Sequence, residues 1–287
     1  MSNITVGVAL QTTSDGDYTA ASDPARRNGC DALVLSAGGL FTAYQVGVYK
    51  ALWPHWRPEL VVGASAGALN GWLIASHIHP DKLVEQWMDI ESARSIRIRQ
   101  VPSLRKGYFD PDPLLSRARS LQQNFERKLP LGVVSIEVPT FRPRLFRNEE
   151  ITPEHLVASC SIPLLYPTPR IEGRRLLDGG LFEATPIWAA AAMGATRVIA
   201  INVLPGVMPW PIRMVSAAVR RFRQIPAPQA TSVKLIKPSE LLGSVREAVI
   251  WKTNNIRRWI ELGERDGRQF LNASGGISLP FSPRSPS

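Results

Sequence analysis

Short apolar runs alternate with longer segments of helical character along most of this chain. The apolar runs predict buried strands at residues 32–35, 60–63, 133–136, 144–146 and 197–203. The segments between them predict helices at residues 43–52, 66–76, 81–87 and 187–193, and helix starts at Pro113 and Thr152. Strands that alternate with helices are typical of a mostly parallel sheet with helices on both faces, so we predict an α/β fold.

The two ends of the chain lack this pattern. Residues 11–29 are rich in Ser, Thr, Asp and Ala, and the chain ends on the polar sequence SPRSPS. We therefore expect a flexible arm over residues 1–30, one folded domain over residues 31–270 and a disordered tail over residues 271–287. No signal peptide is predicted, and Thr196 and Arg197 interrupt the best candidate for a spanning helix. We expect a cytoplasmic protein.

The formal net charge is +10, and most of the excess lies in residues 211–260, which hold ten Lys or Arg and two Glu. Such a stretch is most often solvated surface, but it also suits anionic lipid headgroups or nucleic acid. No known nucleic-acid motif accompanies it, so we expect no nucleic-acid partner and keep peripheral membrane contact open. In the same stretch Trp251, Ile256, Trp259 and Ile260 recur at helical spacing, which favours a buried helix face over a membrane-facing one.

The sequence GASAGALNG at residues 63–71 carries the first candidate for chemistry. It follows the apolar run 60–62, and it flanks Ser65 with Gly63 and Gly67 in a G-x-S-x-G pattern. Between a strand and a helix, this pattern raises a serine hydroxyl above the sheet on a strained turn. Ser65 is therefore the candidate nucleophile.

A base for Ser65 is harder to find. The chain has four histidines, at positions 55, 77, 79 and 155, and none of them follows Asp178, so the usual order Ser, Asp, His cannot be built with that acid. The sequence LLDGGLFEATP offers a carboxylate instead, because Asp178 ends an apolar run and meets Gly179 and Gly180. An Asp-Gly turn alone is more often structural. The pairing with Ser65 favours Asp178 as the base, with His155 as a spare candidate.

The glycine-rich sequence LSAGGLFTAYQVG at residues 35–47 is the third candidate. A turn of this kind at the start of a helix points backbone N–H groups outward and can hold an oxyanion or a phosphate. It matches neither a dinucleotide fingerprint nor a P-loop. No metal site is predicted, because the histidines lack a third ligand, and Cys30 and Cys160 are interpreted as buried thiols.

At these stretches the chain closely resembles the patatin-like phospholipase family. The resemblance rests on GVYKAL, GASAGALNG, ASCSIPLLYP and DGGLFEATPI in the expected order, and runs over residues 32–203. It implies a patatin-like three-layer fold and a lipid acyl hydrolase with a Ser–Asp dyad: Ser65 as nucleophile and Asp178 as base. The turn at Gly38 and Gly39 would form the oxyanion hole, with the Leu40 amide as a further donor. The substrates implied are phospholipids, lysophospholipids and sometimes neutral glycerolipids, and no cofactor is required.

One departure from the family pattern affects the turn. Where the family has G-G-G-x-R/K-G, this chain has Ala37, Phe41 and Thr42 at the first glycine, the basic residue and the last glycine. The donors are backbone amides, so a working oxyanion hole is still expected. Two alternatives stay open: an esterase or thioesterase acting on small soluble esters, and a weakly active or non-catalytic regulatory protein on the same scaffold.

Overall fold

The computed structural model describes residues 29–89, 96–103, 107–204 and 232–273. Its strands are β1 Asp31–Leu35, β2 Leu60–Ala64, β3 Arg97–Ser103, β4 Gly107–Asp110, β5 Leu131–Val138, β6 Arg142–Arg147, β7 Arg170–Ile171, β8 Arg174–Asp178, β9 Arg197–Ile201 and β10 Ser232–Ile236. Its helices are α1 Ala43–Leu52, α2 Ala66–Ala75, α3 Pro80–Met88, α4 Pro111–Asn124, α5 Pro153–Ser159, α6 Ile187–Ala192 and α7 Thr253–Ala273. Short 3-10 turns lie at Gly39–Thr42 and Asn148–Glu150.

Most of the main sheet is parallel, as predicted. Its strands follow the order β10-β9-β1-β2-β5-β8-β7, and the first five of these run parallel to their neighbours. β6 and β8 pair with β5 in the antiparallel direction. A separate antiparallel hairpin, β3 with β4, was not predicted from its basic and proline-containing sequence.

The strand that ends at Asp178, β8, is an exception to the predicted mostly parallel arrangement. One edge of β5 is taken by β6 along residues 132–137, so β2 and β8 share the other edge. There Ala64 of β2 pairs with Val134, and Asp178 of β8 pairs with the next residue, Ser135. Because β2 and β8 run in opposite directions, their carboxyl ends meet head to head.

Helices cover both faces of the sheet, which confirms the three-layer α/β prediction. Alternate residues of a strand point to opposite faces, and the strands accordingly contribute to two separate cores. Leu33, Leu35, Val61 and Val133 pack with side chains from α1, α2, α3, α4, α5 and α7. On the opposite face, Ala32, Val34, Val62 and Val134 pack mainly against α6.

Helix α7 lies against α1 through glycines. A Cβ at Gly47 or Gly263 would collide with backbone of the other helix, and one at Gly267 would crowd Ala51, so the two helices approach closely here. The buried face of α7 includes Ile256, Trp259 and Ile260, which confirms the predicted buried helix face for these three residues. Trp251 lies before the helix and is only partly buried. No helix in the described ranges is long and apolar enough to cross a membrane.

Some predicted boundaries shift. Asp81 is not the N-cap of α3: Pro80 takes the first helical position, and the ring of His79 accepts the N–H of Asp81. Helix α4 begins at Pro111 rather than Pro113, because Asp110 caps it. Helix α7 continues to Ala273, past the predicted domain end at residue 270. The predicted arm up to residue 28, the tail from residue 274 and the basic residues within 205–231 lie outside the described residues.

Candidate active site

Ser65 lies between β2 and α2, where the sequence predicts it. Its φ of 55° and ψ of −136° are rare for a residue with a side chain, and the residue is 4% exposed. A Cβ at Gly63 would collide with the start of α2, and one at Gly67 would collide with the carbonyl of Ser36. The two glycines therefore allow the tight strand-to-helix turn that holds Ser65 at the N-terminus of α2.

Asp178 is 3% exposed at the end of β8. Its Oδ1 accepts the N–H of Gly180 at 2.8 Å, which fixes the orientation of the carboxylate. Its Oδ2 is buried and makes no hydrogen bond of regular geometry within the described part of the chain. Gly179 is also required, because a Cβ there would collide with the carbonyl of Val134.

The head-to-head arrangement of β2 and β8 brings Ser65 and Asp178 together. Burial raises the pKa of Asp178 from 3.8 to about 6, while the neighbouring Ser65 hydroxyl and the Gly180 N–H act in the opposite direction. With a pKa of about 6, the carboxylate is mostly ionised at pH 7 and is more basic than an exposed aspartate. Such a group can accept a proton from a hydroxyl beside it.

Ser159 is a polar contact of this site that the sequence analysis missed. The Ser65 N–H donates to Ser159 Oγ at 2.9 Å, and the Ser159 hydroxyl donates to the carbonyl of Val134 at 2.6 Å. The carbonyl of Ser159 accepts the N–H of Gly179 at 3.1 Å. One buried residue thus contacts the backbone on both sides of the site. Its place in ASCSIPLLYP was the available signal.

The glycine-rich turn supplies two unoccupied amides. In the described residues, the N–H groups of Gly38 and Gly39 have no protein hydrogen-bond acceptor, as an oxyanion hole requires. The Leu40 N–H instead donates to the carbonyl of Ala248 at 2.8 Å. Leu40 is therefore not a free donor in this arrangement, so of the three predicted residues only Gly38 and Gly39 offer free amides.

The three departures from the family pattern are accommodated locally. Ala37 packs against Gly180, where an added Cβ would collide with it. Phe41 is fully buried and meets the ring of Trp259 edge-on at 5.0 Å. The Thr42 hydroxyl donates to the carbonyl of Gly39 at 2.7 Å and closes the turn. The turn is thus held by contacts that these replacements themselves make.

An apolar cavity opens beside Ser65. Its apolar lining comes from α2, α3, β4, α4, the loop after α5 and the segment before α7, including Leu69, Leu73, Trp87, Phe109, Leu114, Leu121, Ile162, Leu165, Tyr166 and Trp251. Trp87 and Trp251 stack in parallel with ring centroids 5.9 Å apart. Asn70 orients this wall, since its amide oxygen accepts the indole N–H of Trp87 at 2.8 Å. The apolar lining suits an apolar chain that ends near the Ser65 hydroxyl.

The spare candidate His155 is engaged elsewhere. Its Nδ1 lies 3.0 Å from the Thr152 hydroxyl and accepts the Thr152 N–H at 3.2 Å, and its ring packs on Phe146. Burial lowers its pKa. None of the residues that line the cavity is a histidine. The described residues contain no group of three or more His, Cys, Asp or Glu that could hold a metal.

The two cysteines form no disulfide. Cys160 lines the cavity next to Ser65, and burial together with the charge of Asp178 raises the pKa of its thiol. The thiol is therefore protonated at neutral pH and is a poor nucleophile. Ser65 therefore remains the candidate nucleophile of the cavity.

A sequence-family model and several solved structures resemble this chain. A sequence model described as patatin-like phospholipase matches residues 33–191, more than half of the chain. Among solved structures, VipD from Legionella pneumophila is similar at 14% identity and a TM-score of 0.48, over 86% of this chain and 67% of that one. The type III effector ExoU has 12% identity and a TM-score of 0.39, over 85% of this chain and 53% of that one. Human GIVD cytosolic phospholipase A2 has 12% identity and a TM-score of 0.35, over 85% of this chain and 58% of that one.

Proposed function

Because the chain belongs to the patatin-like phospholipase family, we propose that it is a lipid acyl hydrolase. In this proposal it cleaves fatty-acyl ester bonds of phospholipids or lysophospholipids through an acyl-enzyme on Ser65. The observation that carries the proposal is the buried carboxylate of Asp178 beside the Ser65 hydroxyl at the end of an apolar cavity.

Acylation begins when Asp178 takes the proton of the Ser65 hydroxyl and Ser65 Oγ attacks the ester carbonyl carbon. The negative charge that develops on the carbonyl oxygen is stabilised by the amides of Gly38 and Gly39. The C–O bond to the leaving group then breaks, and that oxygen receives the proton from Asp178. The products of this half-reaction are the lyso-lipid or alcohol and the acyl-enzyme.

Deacylation repeats these steps with water. Asp178 accepts a proton from water as its oxygen attacks the acyl carbon, and the proton passes to Ser65 Oγ when the bond to Ser65 breaks. The fatty acid leaves and the free enzyme is restored. In this mechanism one carboxylate thus serves both half-reactions, and no histidine takes part.

The surface beside the cavity supports peripheral contact with a membrane. Leu241, Val245 and Ile250 are exposed large apolar side chains, and Arg246 and Lys252 are exposed basic residues between and after them. The same segment forms one wall of the cavity through Ala248, Val249 and Trp251. Apolar side chains with adjacent cations suit the interface of an anionic bilayer.

One observation favours the alternative of a weakly active or non-catalytic regulatory protein. The Leu40 amide, a predicted third donor, is taken by Ala248. If the oxyanion hole needs that donor, the reaction would be slow. Labelling by an alkyl fluorophosphonate separates the two proposals, because the reagent needs an activated serine.

The experiment uses wild type, Ser65→Ala and Asp178→Asn. Ser161→Ala serves as the control, because Ser161 is a buried serine in the loop after α5. Fatty-acid release from phospholipid vesicles and fluorophosphonate labelling are measured together. We expect both dyad variants to lose both activities and the control to retain them. Near-full activity of Asp178→Asn would contradict the dyad, and activity confined to dispersed short-chain esters would favour a soluble esterase.

A further inference from the structure

Ser159 links the two chain segments that carry the proposed dyad. It is fully buried at the last position of α5. Its hydroxyl accepts the N–H of Ser65 and donates to Val134, while its carbonyl accepts the N–H of Gly179. Every polar group that Ser159 directs toward the site is therefore satisfied by a partner within it.

The strand arrangement shows why a link between the Ser65 turn and the Asp178 turn affects the geometry of the site. β2 and β8 abut on one edge of β5 and, in the described sheet, are not paired with each other. Within the sheet their ends are joined through the adjacent residues Val134 and Ser135 of β5. A positive φ at Ser65 adds strain on one side of this junction. Without Ser159 Oγ, the Ser65 N–H would be buried with no acceptor, a state that favours relaxation of the turn.

We infer that Ser159 is a positioning residue that holds the Ser65 turn and the Asp178–Gly180 turn at a fixed separation. This inference rests on the proposed function only for its effect on rate. Its structural part, that the Ser159 hydroxyl holds the Ser65 amide, can be tested without catalysis.

Ser159→Ala removes the hydroxyl and keeps the carbonyl. Ser161→Ala is the matched control, because Ser161 is equally buried and its hydroxyl donates only to Val157 within its own turn. We expect Ser159→Ala to lower kcat and the fluorophosphonate labelling rate by about 10- to 100-fold, with KM changed less than about twofold, because small displacements of reacting groups cost rate. Ser161→Ala should stay close to wild type in all three.

Two further measurements separate positioning from a general effect on folding. The acidic limb of the kcat/KM profile should move to higher pH in Ser159→Ala, because a displaced Ser65 hydroxyl no longer lowers the pKa of Asp178. Hydrogen exchange of the Ser65 amide should become faster in Ser159→Ala and stay unchanged in Ser161→Ala. If Ser159→Ala does not fold, Ser159→Cys carries the same comparison, because a thiol fills the space but is a weak acceptor.

The outcomes are distinct. Unchanged exchange at Ser65 in Ser159→Ala overturns the inference, and so does a loss of thermal stability with unchanged labelling of the folded protein. A wild-type protein that neither hydrolyses lipid nor reacts with the fluorophosphonate refutes the proposed function. In that case the exchange measurement alone decides whether Ser159 holds the Ser65 turn.

Discussion

Asp178→Asn should make the protein more stable at neutral pH while it destroys the proposed activity. The wild-type carboxylate is buried, its Oδ2 makes no hydrogen bond of regular geometry in the described part of the chain, and burial raises its pKa from 3.8 to about 6. An ionised group in such a position destabilises the fold. Asparagine fills the same space, keeps an oxygen for the Gly180 N–H and carries no charge.

The sign and size of the effect follow from the raised pKa. The folded protein binds the Asp178 proton more tightly than the unfolded chain, so the contribution of this group to stability is fully present below pH 3.8 and is lost as the pH rises through about 6. A shift of about two pKa units at about 1.4 kcal/mol each corresponds to about 3 kcal/mol. Asp178→Asn cannot titrate and does not lose this free energy.

Urea unfolding followed by tryptophan fluorescence at about pH 4 and about pH 8 measures the effect. The free energy of unfolding of Asp178→Asn minus that of wild type should increase by about 2.4 kcal/mol between the two pH values, slightly less than the full shift because pH 4 lies just above the unfolded pKa. Glu261→Gln, at an exposed position of α7, controls for loss of a carboxylate and should show no such increase. Parallel pH dependences of wild type and Asp178→Asn would refute the burial argument.

Three further predictions test other parts of the structure. Gly39→Ala should reduce the fluorophosphonate labelling rate by about 100-fold or more, because φ is +54° there and the new Cβ would meet the Ala248 carbonyl. Gly263→Ala should lower the free energy of unfolding by about 1–3 kcal/mol in urea titration, because the methyl group would collide with the backbone of α1. Arg246→Glu should weaken sedimentation with anionic vesicles at low salt more than Lys128→Glu, a control at an exposed position, does. Binding of the wild type should weaken as the salt concentration rises. Equal binding by both variants would contradict the proposal that the surface around Arg246 contacts the membrane.

The candidate site could be predicted from sequence because its demands are local. A serine at positive φ needs glycines around it, and Gly63 and Gly67 lie at the spacing that such a turn requires. Gly179 is likewise fixed by the close approach of the Val134 carbonyl. These constraints act within a few residues, so they leave a pattern in the chain.

The direction of β8 left no such pattern. Leu176 and Leu177 are apolar whether their strand runs parallel or antiparallel to its neighbour, and only the register with β5 distinguishes the two. The capture of the Leu40 amide by Ala248 was hidden for a similar reason, since the acceptor is a backbone carbonyl from a distant segment. A hydrogen bond between backbone atoms requires no particular side chain at either position, so it leaves no pattern in the sequence.

The antiparallel direction of β8 explains how an aspartate could act in place of a histidine. In a Ser-His-Asp triad, by contrast, the histidine supplies a basic nitrogen that the third residue orients. Here, abutting strand ends exclude water from Asp178, which raises its basicity, and the Gly180 N–H holds Oδ1. Oδ2 makes no hydrogen bond of regular geometry in the described part of the chain, and in the proposed mechanism it is the oxygen that accepts the proton of Ser65. A change that lets water reach Oδ2 should therefore lower the pKa of Asp178 and weaken the base even though both dyad residues remain in place.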